Sequence, residues 1–89
     1  MRIRRRHNFA LDDARNRVDQ MAEELERRFR LRSEWRGDKL VFNGGGANGD
    51  VSITEQDIEL NVRLGFALKI MEPTIRAAIE ETLDEQIGS

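Results

Sequence analysis

The segment Ile58-Glu59-Leu60-Asn61-Val62-Arg63-Leu64 alternates four branched apolar side chains with three polar ones. A period of two is what a β-strand with one buried and one wet face requires. Such a strand cannot stand alone. It needs antiparallel neighbours of similar pattern and an apolar layer over its buried face. The alternation breaks at Gly65. Phe66-Ala67-Leu68-Lys69-Ile70-Met71-Glu72-Pro73 then carries apolar residues with no strand period into a following helix.

The remaining segments supply the partners. Met1–His7 predicts a first strand with Arg2, Arg4 and Arg6 on one face and Ile3 on the other. With a single core residue, this strand belongs at a sheet edge, where arginines discourage unwanted pairing. Leu11–Leu31 predicts a long amphipathic helix. Its stripe of Leu11, Ala14, Val18, Met21, Ala22, Leu25 and Phe29 recurs at spacings of three and four. Asp12 and Asp13 in its first turn and Arg27, Arg28 and Arg30 in its last suit the helix dipole. Ser33–Arg36 and Lys39–Phe42 flank Gly37-Asp38, a two-residue hairpin turn that sets Trp35 opposite Leu40. The single tryptophan is read as core. Asn43–Gly49 reads as a flexible glycine-rich connection, and Asp50–Thr54 as a strand with Val51 and Ile53 inward. Glu55-Gln56-Asp57 reads as a polar turn. The last helix begins around Met71–Pro73, where proline is tolerated in the first turn. Its stripe is Ile75, Ile79, Leu83 and Ile87, and Gly88-Ser89 is read as a frayed end.

The expectation is one α+β domain over residues 1–89, in the order β-α-β-β-β-β-α. Both helices lie on one face of an antiparallel meander. Glu59, Asn61, Arg63, Ser52 and Val41 occupy the wet face.

The chain has 89 residues and no cysteine, so neither a disulfide framework nor a thiolate zinc site is available. A chain of this length is marginal by default, which makes a homodimer a reasonable expectation. No apolar run is long enough to span a bilayer, and no apolar segment follows the basic start as in a secretory signal. A cytoplasmic protein is the simplest reading. Residues 1–36 hold eleven Arg against seven acids, whereas residues 37–89 hold four basic residues against ten acids. Such polarity permits docking between unlike halves, although two separately solvated faces are the plainer account.

No catalytic, cofactor or metal site is expected. The glycines of Asn43–Gly49 join two strands and lack the lysine and hydroxyl of a P-loop. His7, the only histidine, has no recognisable nucleophile or base arrangement around it and is read as a surface residue at a strand end. Glu80, Glu81, Asp84 and Glu85 read as a solvated helix face rather than a calcium site. The arginines of residues 2–6 lack the stacking aromatics of a nucleic-acid surface, so no nucleic acid is expected. Contact with an acidic protein, or with the acidic half of another copy, suits them better. The run Phe66–Met71 is read first as a buried crossing, with an exposed apolar lip as the alternative. The candidate partner contacts are therefore Arg2, Arg4, Arg6, Phe66, Leu68 and Met71.

The sequence also resembles a family of small bacterial proteins, the polyhydroxyalkanoic acid system or polyhydroxyalkanoate granule-region family. The likeness rests on Ile3-Arg4-Arg5 with His7, Leu11-Asp12-Asp13-Ala14-Arg15 with Val18-Asp19, and Leu31-Arg32 before Trp35-Arg36-Gly37-Asp38. It continues through Leu60–Leu64 before Gly65-Phe66-Ala67-Leu68-Lys69, and closes with Ile75, Ile79-Glu80-Glu81 and Leu83-Asp84. The glycine-heavy Asn43–Gly49 departs from the hairpin expected of the family. The resemblance implies a role beside the storage polyester, in synthesis, granule formation or regulation, and brings no catalytic residues. It makes the granule, or a granule protein, the expected partner of a non-enzymatic accessory protein. A second expectation is a small apolar-ligand module of helix-grip plan, which a chain this short makes difficult. An enzyme is the third and least supported.

Overall fold

The computed structural model describes residues 1–87. Five strands form one antiparallel sheet: β1 (Arg2–Arg6), β2 (Arg32–Arg36), β3 (Lys39–Gly44), β4 (Ala47–Ile53) and β5 (Asp57–Leu64). The helices are α1 (Leu11–Phe29), α2 (Phe66–Lys69) and α3 (Glu72–Ile87). The strand order across the sheet is β1-β5-β4-β3-β2. The last four strands are thus a meander, and β1 closes its far side by pairing with β5. The expected α+β order stands, with one addition: the single-turn α2 between β5 and α3. Gly88 and Ser89, read above as a frayed end, lie outside the described residues.

The alternation in β5 does what it predicts. Ile58, Leu60 and Val62 are buried, whereas Glu59, Asn61 and Arg63 face away from the core. Other strands contribute Ile3, Val51, Leu40 and Phe42 to the same layer. Against that layer lie Val18, Met21, Ala22 and Leu25 of α1 and Ile79, Leu83 and Ile87 of α3. Burying side chains of this size is worth roughly 1.5–3 kcal/mol each, before the entropy of ordering them.

Several expectations need correction. Leu11 is 45% exposed, because the first turn of α1 overhangs the Ile53–Glu55 corner and burial begins at Ala14. Arg30 is not helical. It is the C-cap, with φ of 55°. Trp35 is half-buried at the rim of the core. The Arg15 guanidinium lies 4.1 Å from its ring centroid, and its indole Nε1–H donates to Asp19 Oδ1 at 3.2 Å. Its register opposite Leu40 is as expected.

The glycine-rich connection is mostly strand. Asn43 pairs with Asn48, Gly44 with Ala47 and Phe42 with Gly49, leaving only Gly45-Gly46 as the turn. These glycines are packed. A Cβ on Gly44 would stand 2.9 Å from Arg30 O, and one on Gly45 would stand 2.8 Å from Phe29 O. The hairpin tip therefore presses against the C-terminus of α1 at a distance only glycine permits, and both residues have positive φ. The polar turn before β5 is Thr54–Gln56. The Thr54 hydroxyl accepts N–H bonds from Gln56 and Asp57 at 3.3 and 2.9 Å.

Part of the charge asymmetry is met inside the molecule. Glu59 of β5 pairs with Arg2 at 3.0 Å and Arg4 at 3.7 Å across the β1–β5 ladder. Asp84 of α3 pairs with Arg5 at 3.1 Å. Arg17 of α1 donates to Gln86 O at 2.7 Å while lying 3.9 Å from the Phe9 ring centroid. Thus a basic first half and an acidic second half face each other in one chain. Exposed pairs of this kind add little individually, about 0–1 kcal/mol.

Candidate contact surface and the cavity behind it

His7 is the first candidate to settle. It is 6% exposed, not a surface residue. Its Nε2–H donates to Thr54 O at 2.7 Å, its Nδ1 accepts the Phe9 N–H at 3.2 Å, and its ring stacks on Phe9. Both ring nitrogens are occupied by backbone partners, which fixes the tautomer and makes His7 a clasp between β1 and the Thr54 corner. Among the described residues, no group of three or more His, Asp or Glu is placed to hold a metal ion.

The run after Gly65 is exposed rather than a buried crossing. Phe66 is 91% exposed, Ile70 87% and Met71 50%. The local geometry explains this. Gly65 N–H donates to Gly46 O at 2.7 Å, which ends β5 beside the β3–β4 turn. One helical turn follows. Phe66 and Ile70, four residues apart, share the outer side of that turn. Leu68, between them, points the other way and meets the Gly46 turn, where a Cβ would stand 3.2 Å from Leu68 Cδ1. A second turn then restarts the chain as α3, with Pro73 in its first turn. The six candidate contacts therefore separate. Phe66 and Met71 form an apolar lip, which Ile70, absent from the candidate set, completes. Leu68 belongs to what lies behind the lip.

Behind it is an apolar cavity of about 140 Å³. Leu25, Phe29 and Leu31 line one side, Leu60, Val62 and Leu64 the sheet side, and Leu68, Met71, Ile75 and Ile79 the α2–α3 side. Gly44, Gly45 and Ala47 of the β3–β4 hairpin close one end. No polar side chain enters it. Met71 belongs to both wall and lip. The signal that could have found the cavity was distributed: one apolar residue, Leu31, past the end of the α1 stripe, and a hairpin of small residues beside it.

Arg2, Arg4 and Arg6 lie on the wet face of β1, an edge strand of the sheet. Arg2 and Arg4 share Glu59, and among the described residues no carboxylate pairs with Arg6. In register, Arg6 sits against Asp57 at the start of β5. The lip follows the other end of that strand, roughly 25 Å away at ~3.3 Å per residue. The two patches do not merge. The wet sheet face carries a broad polar hollow lined by Asn43, Asn48, Asp50, Asn61, Arg2 and Arg63. Asn61 Nδ2 donates there to Asp50 Oδ1 at 3.3 Å.

Together these features define a small α+β protein of a helix-covered antiparallel meander with an apolar lip beside an apolar cavity. Residues 1–87 match the family model described as "Putative polyhydroxyalkanoic acid system protein". The chain belongs to that family, as its resemblance implies. No curated protein and no solved structure matches it. Among the described residues, no helix is long and apolar enough to cross a membrane.

Proposed function

We propose that this protein is a non-enzymatic accessory component of the polyhydroxyalkanoate storage system that acts by contact, laying the Phe66–Ile70–Met71 lip against the hydrophobic surface of the polyester granule. The observation that carries this reading is the pair Phe66 and Ile70, almost fully exposed on one side of α2. Two large apolar side chains standing together in water are costly unless a partner covers them. Membership of a family described by the polyhydroxyalkanoic acid system favours a hydrophobic polyester body as that partner. The β1 arginines contribute at most a separate, salt-screened contact with an acidic granule protein, at the far end of β5.

A partition assay tests the reading. Purified protein is mixed with protein-free polyester particles and with native granules, and the bound fraction is measured. Wild type is expected to bind both, and Phe66→Asp with Ile70→Asp neither, with unfolding midpoints unchanged. Equal partition of the double variant would sink the lip. Binding to native granules alone would replace the polymer surface with a granule protein as the partner. Loss of binding in Arg2→Glu/Arg4→Glu/Arg6→Glu at low salt, with the lip intact, would move the contact to β1.

A further inference from the structure

The lip explains how the protein reaches an apolar surface. It does not explain why Leu68 and Met71 stand over an empty space lined by twelve apolar side chains, their own included. An apolar cavity of roughly 150 Å³ stays dry and takes up a ligand the size of benzene. The space here is about 140 Å³. It is too small for a whole lipid or a typical ligand, which needs ~300 Å³ or more. It suits a hydrocarbon group of roughly six carbons. The absence of any polar side chain in the wall excludes a charged or hydrogen-bonding group from the interior, because nothing would replace its water. A ligand that enters must therefore be amphipathic, with its oxygen-bearing end left at the mouth.

We infer that this cavity seats the aliphatic side chain of one hydroxyalkanoate unit, with α2 as its outer wall and the carboxyl or ester end in water. The class of ligand rests on the polyhydroxyalkanoate reading above, whereas the shape and polarity of the cavity do not. Two features of the wall suit the role. Gly44 and Gly45 let the hairpin close against the C-terminus of α1, and Ala47 beside them is too small to fill the space that remains. α2 itself buries no residue and meets the rest of the protein through Leu68, so it is the part of the wall that can yield to admit a chain.

The test is a methyl NMR titration with the sodium salts of butanoic, hexanoic and octanoic acids. Shifts are expected at Leu25, Val62, Leu68 and Ile79. Affinity should rise about four-fold per added methylene up to about six carbons and then level. Ala47→Leu fills the closed end and should abolish these shifts. Leu68→Ala enlarges the space and should move the plateau to longer chains, so a failure of the first variant to fold leaves the second to decide. No shift at the cavity methyls, or shifts confined to the Ile70 methyls of the lip and indifferent to both variants, would overturn the inference. Protein-free polyester with pentyl side chains, compared with hexanoate, separates a polymer-borne chain from a free acid. Phe66→Asp keeps the two proposals apart: it should lose granule partition yet retain hexanoate binding. Retained partition with no hexanoate binding would defeat the cavity alone.

Discussion

Gly49 lies on the inner face of β4, between Phe42 and Val62 in register, where a side chain would be expected. A Cβ there would stand 1.9 Å from Asn61 O and 2.8 Å from the Phe42 ring. The ring instead covers the glycine and closes the layer, a recognised remedy for glycine in a sheet. Gly49→Ala must push β4 and β5 apart. It is expected to destabilise by about 2–3 kcal/mol, measured as a drop in the urea midpoint at constant m-value. Arg30 presents the opposite case. It is a side-chain-bearing residue in the left-handed region, at the position where helices usually place glycine. Arg30→Gly should stabilise by up to about 1 kcal/mol. His7→Phe preserves the ring but strands the Phe9 N–H and Thr54 carbonyl. A loss of about 1–3 kcal/mol is expected in the same assay. None of these three roles is visible in sequence, because each depends on a partner brought in by another strand or on a backbone angle.

At the level of elements, legibility followed period. The α1 stripe from Ala14 to Leu25 and the β5 alternation could be read directly, and the Gly37-Asp38 turn gave the correct β2–β3 register. α2 could not be read. It spans four residues, less than any helical period can declare, and its apolar side chains point both ways. The glycine-rich segment was misleading for a physical reason. Its composition permits flexibility, but contact with the C-terminus of α1 uses that permission for close packing. Thr82, the wholly buried polar residue of α3, was also missed. Its hydroxyl donates to Ala78 O at 3.0 Å and accepts from Arg28 at 3.4 Å, so it fits the α1–α3 crossing without an unpaired group. The candidate contacts were half legible: an unexplained surplus of apolar residues marked the lip, but not which of them turn inward. Elements so differently anchored should differ in opening. Amides of α2 are expected to exchange with solvent far faster than those of β5, and hydrogen exchange read by NMR checks this.

For the whole molecule, the ion pairs run both within and between the basic and acidic halves. The Arg2–Glu59–Arg4 and Arg5–Asp84 pairs tie β1 to β5 and α3. Stability should fall only slightly, by about 1 kcal/mol or less, between low and molar salt, because the pairs are largely exposed and the core is apolar. Thermal unfolding across a salt series measures it.

The pairing of β1 with β5 also sets a timetable. Ile3 lies beside Leu60, so β1 leaves the ribosome well before its sheet partner β5 exists. At ~5–20 residues per second that wait is several seconds, long compared with the sub-microsecond formation of α1. Four arginines in five residues keep the waiting strand hydrated and mutually repelled through that interval. The same side chains that mark the finished sheet's edge thus guard the nascent chain against pairing with the wrong strand before the right one arrives.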